Sequence, residues 1–301
     1  MNRLFSIVVL IAGMNFVATA CMSGSSEQPG SAGASSVATA VERVYFDNEK
    51  KDVARIEGIM KKVGDIPDIN DRVVAIAREF IGTPYVGHTL EIPEEETLYV
   101  STSGLDCLTF VETVISIAKT SGSDHPDMET YLTTLRSIRY RDGEIDGYPS
   151  RLHYASEWAA DNEKRGNFRE ITPDYDLSEK RVKTIDFMTK NRRLYPAMKD
   201  DAVYKAIKEN EKALRGMEYS IIPTAKVDMA AKNFLKNGDV VAIVTDKAGL
   251  DVSHNGIIII KDGIPHLIHA SSKFKKVISD TTPLKEYLQK QGSPGIRVFR
   301  L

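Results

Sequence analysis

Apolar residues recur at helical spacing over much of the first half of the chain. Between Asp106 and Ala118 they fall at three- and four-residue intervals, which is the pattern of an amphipathic helix packed on a core. Similar spacing with local caps and breakers predicts helices elsewhere in this half. These are a helix or a broken pair of helices over Val41–Val63, a helix over Asn70–Ile81 capped by Asn70, and helices over Met128–Tyr140 and Arg151–Lys164.

After Leu235 the apolar period changes to that of β-strands. Short β-branched runs are separated by Gly, Asp and Pro, as in an antiparallel sheet with tight turns such as Asp262-Gly263. Helices first and strands last predict an α+β fold, with the helix that begins near Asp106 packed on a C-terminal sheet. The charged segment 174–226 is interpreted as a helical insertion that shapes one wall of the site, within a single domain over 41–301. The predicted strands are Val240–Thr245, Ser253–Ile260, Pro265–Ala270 and Ile296–Leu301.

Composition narrows the class of function. The 301 residues are 42% hydrophobic and 27% charged with a formal net charge of −2, which is enough apolar material for a sizeable core. Lys and Arg are interspersed with Asp and Glu, so the sequence lacks the basic stripe typical of nucleic-acid binding. His254 and His269 have no Cys or carboxylate at metal-ligand spacing, and no metal or cofactor is expected.

The N-terminus has the three parts of a secretory signal peptide in order. Arg3 precedes the largely apolar run 4–17, and Ala18-Thr19-Ala20 resembles a cleavage site. This pattern predicts a signal peptide over 1–20 and an exported, periplasmic protein. The apolar run is shorter than the about 20 residues that a membrane-spanning helix requires.

Cys21 follows the predicted cleavage site directly. The run Ala18-Thr19-Ala20-Cys21 resembles a bacterial lipobox, in which the cysteine receives lipid, although Ala18 stands where such motifs usually have Leu. Lipidation would prevent Cys21 from forming a disulfide with Cys107 in an oxidising compartment. Residues 21–40 would then be a flexible, Ser-, Gly- and Ala-rich tether between a lipid anchor and the domain. Ordinary cleavage after Ala20 is the alternative.

Cys107 lies in the first turn of the helix predicted to begin near Asp106. Unpaired N–H groups and the positive end of the helix dipole favour an anion there, so we expect a lowered thiol pKa and a nucleophilic thiolate. The alternative is a small buried cysteine at a helix start, and this stretch alone leaves both interpretations open.

Two histidines lie at matching ends of a predicted hairpin. If the strands fold about Asp262-Gly263, paired residues have numbers that sum to about 525, and the numbers of His254 and His269 sum to 523. We therefore expect the two histidines to be near cross-strand neighbours. A thiol nucleophile needs a base and the base an orienting group, roles that His254 and His269 could fill beside Cys107.

These motifs carry a family resemblance. Asp106-Cys107 at a helix start, the strand motif H-N-G-I-I-I-I, the later I-H-A and the run L-K-N-G-D-V-V at 235–241 resemble the NlpC-type cell-wall cysteine peptidases, which have a papain-like fold. The resemblance covers mainly 82–114 and 235–270. It implies Cys107 as nucleophile, His254 as base and His269 as the orienting residue.

Two motifs resemble one branch of that superfamily more closely. D-C-L-T-F-V-E and Y-P-S-R-L-H-Y-A-S-E-W are similar to N-acetylmuramoyl-L-alanine amidases, which cut between anhydromuramic acid and the peptide stem of peptidoglycan fragments. The resemblance implies that Tyr85 lines the site. Arg151, His153 and Trp158 could contact substrate, although Trp158 could equally be a core aromatic residue.

Three alternatives remain open, and the sequence gives no indication of oligomeric state. The first is an endopeptidase that cuts the stem between D-glutamate and the diamino acid, and the second is transfer of the acyl group to an amine. The third is a wall-binding lipoprotein without catalytic activity.

Overall fold

The computed structural model of the chain describes residues 44–301. The predicted signal peptide, Cys21 and the tether lie outside these residues. Within 44–301, no helix combines the length and the apolar character needed to cross a membrane. The helices are α1 (Glu49–Val63), α2 (Ile69–Glu79), α3 (Cys107–Ser121), α4 (Met128–Arg139), α5 (Ala155–Lys164), α6 (Phe187–Lys190), α7 (Asp201–Ala213), α8 (Val227–Asn233) and α9 (Leu284–Lys290). The strands are β1 (Val44–Phe46), β2 (Leu98–Val100), β3 (Arg169–Glu170), β4 (Glu179–Val182), β5 (Glu218–Pro223), β6 (Val240–Val244), β7 (Val252–Lys261), β8 (Ile264–Ser271), β9 (Lys276–Ser279) and β10 (Gly295–Arg300).

Most strands form one antiparallel sheet, in the order β4-β5-β10-β6-β7-β8-β9, with β3 paired to β10. Helices α1 to α5 precede the central strands in the chain, so the expected α+β class is confirmed. The strands β6, β7 and β8 are buried on both faces along most of their length, which explains their long β-branched runs.

The β7–β8 hairpin has the register that its sequence predicts. Ile257 pairs with Ile268, so paired numbers sum to 525. His269 then faces Gly256, where a Cβ atom would lie only 3.2 Å from the Cβ of His269. Since side chains two residues apart share a face of a strand, His254 and His269 are diagonal neighbours with no side chain between them.

Helix α3 fixes the position of Cys107. The Asp106 carboxylate caps it by accepting hydrogen bonds from the N–H groups of Leu108 and Thr109, and the Asp106 N–H donates to Oγ1 of Thr109. Nearly every later residue of α3 is buried, against α1, α2 and α4 on one side and β7 and β8 on the other. The first turn therefore meets the start of β7.

Segment 174–226, predicted as a helical insertion, contains strands as well as helices. Strands β4 and β5 extend the sheet at its edge, and α6 and α7 lie between them in the chain. Tyr154 joins this segment to the rest of the domain, because its hydroxyl donates to Glu211 and accepts from the N–H of Met188, both at 2.7 Å. Residues of the segment also pack on Tyr148 and Leu250.

Candidate active site

A cavity of about 140 Å³ opens where the first turn of α3 meets the start of β7. Both Cys107 and His254 line it, which brings the predicted nucleophile and the predicted base to one site. Other residues that line the cavity are His153, Trp158, Asp251 and Asn255.

Three polar groups, His254, His269 and Asp280, form a row that begins at the cavity. Nε2 of His254 lies 2.6 Å from Nδ1 of His269, with the two rings nearly perpendicular. Nε2 of His269 in turn lies 3.4 Å from Oδ2 of Asp280. Since Nε2 of His254 is engaged by His269, its Nδ1 is the nitrogen left for a reacting group.

The ring of Tyr287, on α9, covers the two histidines. Its centroid lies 5.5 Å from that of His269 and 6.2 Å from that of His254. Burial, together with the nearby Asp280 and Cys107, raises the pKa of Tyr287 to about 12. The phenol is therefore neutral at physiological pH and can donate a hydrogen bond.

The thiol of Cys107 differs from expectation. Burial, with a contribution from the Asp106 carboxylate, raises its pKa to about 12. The backbone N–H groups of Asn255, Cys107 and Leu108 act in the opposite direction, as the helix-start argument requires, but they are outweighed. The prediction of a lowered thiol pKa was wrong for the free protein, because it ignored desolvation.

Both histidines of the row are held neutral. Burial, and secondarily the neighbouring His269, lowers the pKa of His254 to about 3. Burial also lowers the pKa of His269, although Asp280 partly opposes this. The thiol of Cys107 and the imidazole of His254 are therefore both neutral in the resting protein, and a proton transfer from one to the other would have to accompany substrate binding or attack.

Tyr85, which the resemblance predicts to line the site, lies near the start of α3 and is not among the residues that line the cavity. It forms an isolated bridge with Leu105, just before the start of α3. Burial raises the pKa of Tyr85 to about 12, with Cys107 and Asp106 contributing, so its hydroxyl also remains protonated.

Two of the three other expected substrate contacts line the cavity. The ring of His153 packs against Tyr148 with centroids 4.5 Å apart, and its Nε2 lies 3.0 Å from the carbonyl oxygen of Tyr148. Burial lowers the pKa of His153 to about 3, with smaller contributions from Arg151 and Arg141. Trp158 is also a core residue: it is 3% exposed, and its centroid lies 4.4 Å from that of Phe168.

The third expected contact, Arg151, is engaged elsewhere. Its guanidinium is buried, pairs with Glu91 and Glu96, and donates to the carbonyl oxygen of Leu90. It also lies over the ring of Tyr148. Arg151 is not among the residues that line the cavity, and it fastens the loop before β2 to the domain.

Asp280 and Tyr287 are polar groups at this site that were not identified from the sequence, as are Asp251 and Asn255 in the cavity wall. Asp280 follows β9, whose pairing with β8 returns the chain toward His269. A strand over Lys276–Ser279 was not predicted from the sequence. Such a strand, paired with β8, would have indicated that Asp280 lies near His269. Tyr287 depends on the packing of α9 against β8, which no local pattern predicts.

The sequence model of the AmiA-like family, described as N-acetylmuramoyl-L-alanine amidase-like, matches residues 75–296. The match includes the cavity and the row of polar groups, and the chain belongs to this family. No curated protein matches the chain at a significant level.

Solved structures resemble the chain over most of its length. An N-acetylmuramoyl-L-alanine amidase from Bacteroides uniformis is 34% identical, with a TM-score of 0.72 over 77% of this chain and 98% of the other. A protein from Bacteroides fragilis, provisionally described as a xylanase, is 36% identical, with a TM-score of 0.72 over 75% of this chain and 100% of the other. A Legionella pneumophila protein of family DUF1460 is 22% identical and shares the fold, with a TM-score of 0.65 over 84% of this chain and 95% of the other.

Proposed function

We propose that this protein is a cysteine-dependent N-acetylmuramoyl-L-alanine amidase. It hydrolyses the amide between (anhydro)muramic acid and the peptide stem of peptidoglycan fragments. The observation that carries the proposal is the site itself, where Cys107 and His254 share one cavity and His254 is held by His269 at 2.6 Å. Membership of the amidase-like family and the resemblance to the Bacteroides uniformis amidase support the choice of substrate.

The first step transfers the thiol proton of Cys107 to Nδ1 of His254 as the sulfur attacks the lactyl carbonyl of muramic acid. The pKa values of the free protein make a preformed thiolate unfavourable, so general-base assistance accompanies attack. His269 keeps the imidazole of His254 oriented and shares the charge that it gains.

The tetrahedral intermediate then collapses to release the stem. Its oxyanion is stabilised by the backbone N–H of Cys107, because the N–H groups of Leu108 and Thr109 already donate to Asp106. The protonated His254 gives its proton to the departing amine of L-alanine as the C–N bond breaks. Water, deprotonated by His254, hydrolyses the remaining thioester and frees the sugar and Cys107.

Neutral hydrogen-bond donors surround the reacting bond in this proposal. The protonated hydroxyl of Tyr85, which interacts electrostatically with Cys107, donates to substrate oxygens. Nε1 of Trp158 is buried and has no hydrogen-bond partner within residues 44–301, and the Trp158 side chain lines the cavity. A buried unpaired N–H is costly, and a sugar or peptide oxygen in the cavity would satisfy it. His153, neutral and fixed on Tyr148, forms the opposite part of the wall.

The acidic groups at the site do not favour glycoside cleavage, which the Bacteroides fragilis relative's provisional description would suggest. Glycosidases generally use two carboxyl groups that flank the scissile bond. Within residues 44–301 the carboxylate lining the cavity is Asp251, and its oxygens already accept from the N–H groups of Ser156 and Val252. A thiol beside an oriented imidazole is suited to acyl chemistry instead.

The location of the enzyme is part of the same proposal. The signal peptide would direct export, and lipid on Cys21 would hold the domain at a membrane surface in the periplasm through the tether 21–40. Peptidoglycan fragments occur in that compartment. Palmitate labelling of wild type and of Cys21→Ala tests the anchor separately from the activity.

Mass spectrometry of purified muropeptides tests the activity. The mixture contains anhydromuramoyl tripeptides and tetrapeptides and is incubated with wild type, Cys107→Ala, His254→Gln and the matched control His125→Gln, whose side chain is exposed. We expect free stem and free sugar from wild type and the control alone. A cut within the stem would identify an endopeptidase, and added amines captured on the sugar would identify acyl transfer. Absence of cleavage in every sample would favour a binding protein.

A further inference from the structure

Asp280 is held firmly at the end of the row that begins at His254. Its Oδ1 accepts a hydrogen bond from the N–H of Thr282 at 2.8 Å, and its own N–H donates to the carbonyl oxygen of Leu267 at 2.8 Å. These bonds leave Oδ2 facing Nε2 of His269 at 3.4 Å. That nitrogen is buried and makes no hydrogen bond among the described residues, so its relation to Asp280 is electrostatic.

The charge of Asp280 determines which nitrogens of the row carry protons. Burial acts to raise its pKa, but the N–H and side chain of Thr282 together with His269 hold the pKa of Asp280 below its ordinary value. An ionised carboxylate can only accept a hydrogen bond, so its charge favours the His269 proton on Nε2, the nitrogen that faces it at 3.4 Å. Nδ1 of His269 is then an acceptor, and the 2.6 Å bond requires the proton on Nε2 of His254. Nδ1 of His254 is left with its lone pair.

The other ionisable groups around the two rings do not compete for Nε2 of His269. Tyr287 packs against the rings from α9, and Tyr85 interacts electrostatically with Cys107 and Asp106 at the start of α3. Asp280 is the group that acts electrostatically on His269. If both histidines instead carried their protons on Nδ1, Nδ1 of His254 could not accept the proton of the thiol.

We propose that Asp280 is a positioning residue that selects the Nε2–H tautomer of His269 and, through it, of His254, so that Nδ1 of His254 is the base. It also stabilises the imidazolium that forms when His254 takes the thiol proton. The proposal rests on the proposed function for its effect on catalysis, but the tautomers themselves can be observed without any substrate.

Asp280→Asn tests this with little change in shape. The Asn Oδ1 can still accept from Thr282, and its NH2 group then faces Nε2 of His269 as a donor. That donor favours protons on Nδ1 of both histidines and removes the lone pair that accepts the thiol proton. By analogy with misplaced tautomers in other triads, we expect kcat/KM for muropeptides to fall by about 10²- to 10⁴-fold. Asp262→Asn, in the distant hairpin turn, is the matched control and should retain wild-type activity.

Tautomers are read from ¹⁵N chemical shifts of histidine-labelled protein, with His254 and His269 assigned by single His→Gln variants. In wild type at neutral pH both rings should be Nε2–H, and in Asp280→Asn both should be Nδ1–H, with a melting temperature close to that of wild type. Wild-type rings in the Nδ1–H form would overturn the proposal even if the variant failed to fold. Full activity of a folded Asp280→Asn would also overturn it. Expected tautomers in a wild type that cleaves no muropeptide would instead refute the proposed function and leave the assignment of Asp280 intact.

Discussion

Asp106 has two separable effects, because its carboxylate both caps α3 and lies next to the nucleophile. As a cap it accepts from the N–H groups of Leu108 and Thr109 at 3.1 and 2.8 Å, and from Oγ1 of Thr109 at 2.8 Å. As a charge it helps to raise the pKa of the Cys107 thiol, after burial. Asp106→Asn retains a good capping side chain and removes the charge, whereas Asp106→Ala removes both.

The two effects have different magnitudes. Loss of an N-cap side chain costs about 0.5–2 kcal/mol, and 1 kcal/mol shifts the melting temperature of a domain of this size by about 2–4 °C. Asp106→Ala should therefore melt about 1–8 °C lower than wild type, and Asp106→Asn should lose less. Two charges about 4 Å apart interact by about 1–4 kcal/mol between water-like and protein-surface dielectrics, which corresponds to about 0.7–3 units of pKa. Because a less basic thiolate is also less nucleophilic, the net gain in alkylation rate is about 2- to 30-fold.

Iodoacetamide labelling followed by mass spectrometry of the Cys107 peptide measures this rate at pH 7.5, well below the thiol pKa. We expect wild type to react more slowly than free cysteine, and both Asp106 variants to react faster than wild type. Thermal melting in the same buffer should separate the variants, with only Asp106→Ala clearly destabilised. An Asp106→Asn variant that reacts no faster than wild type would refute the electrostatic argument, and equal destabilisation of the two variants would refute the capping argument.

Three further perturbations probe the cavity, the core and the response to acid. Trp158→Phe removes an N–H that has no partner among the described residues while keeping an aromatic ring, so steady-state assays should find kcat/KM about 2- to 10-fold lower. Because Trp158 also packs on Phe168 in the core, the smaller ring should lower the melting temperature as well. In the wild type, Glu112 forms a buried ion pair with Arg139 at 2.7 Å, so Glu112→Ala leaves a buried guanidinium without its partner and should lower the free energy of urea unfolding by about 3–5 kcal/mol. Glu209 forms an exposed pair with Lys212, and Glu209→Ala should lower it by less than about 0.5 kcal/mol. The pKa of His153 is lowered to about 3, so its contribution to stability is complete above the unfolded pKa of about 6.5 and is lost as pH falls toward 3. Between pH 7 and 5, His153→Gln should therefore lose about 2 kcal/mol less unfolding free energy than wild type, and equal losses would contradict the buried neutral state.

The central strands were predictable because their signals are local. The long β-branched runs and the Asp262-Gly263 turn together determine one register, and a slip of one residue would move every side chain of β8 to the other face. Helix boundaries are less certain from sequence because several residues can cap. Asn70 was the expected cap of α2, but Asp68 caps it by accepting from the N–H groups of Asn70 and Asp71.

Parts of the site depend on packing between distant segments and could not be predicted. Arg151 has the chemistry of a substrate contact, yet it pairs with Glu91, which lies 60 residues earlier in the chain. The raised pKa of Cys107 follows from desolvation of the thiol by segments distant in the chain, which the helix pattern does not contain. Asp280 can be identified as a site residue only when the short strand β9 is known to pair with β8 beside His269.

The covalent intermediate is the most direct test of the central claim that Cys107 attacks the lactyl carbonyl. Wild type is mixed with an anhydromuramoyl tripeptide, quenched in acid after milliseconds to seconds, digested and analysed by mass spectrometry. The account predicts a transient adduct on the Cys107 peptide with the mass of the anhydromuramoyl group alone and no amino acid of the stem. An adduct that retains L-alanine and D-glutamate, or turnover with Cys107 unmodified at every time point, would contradict it.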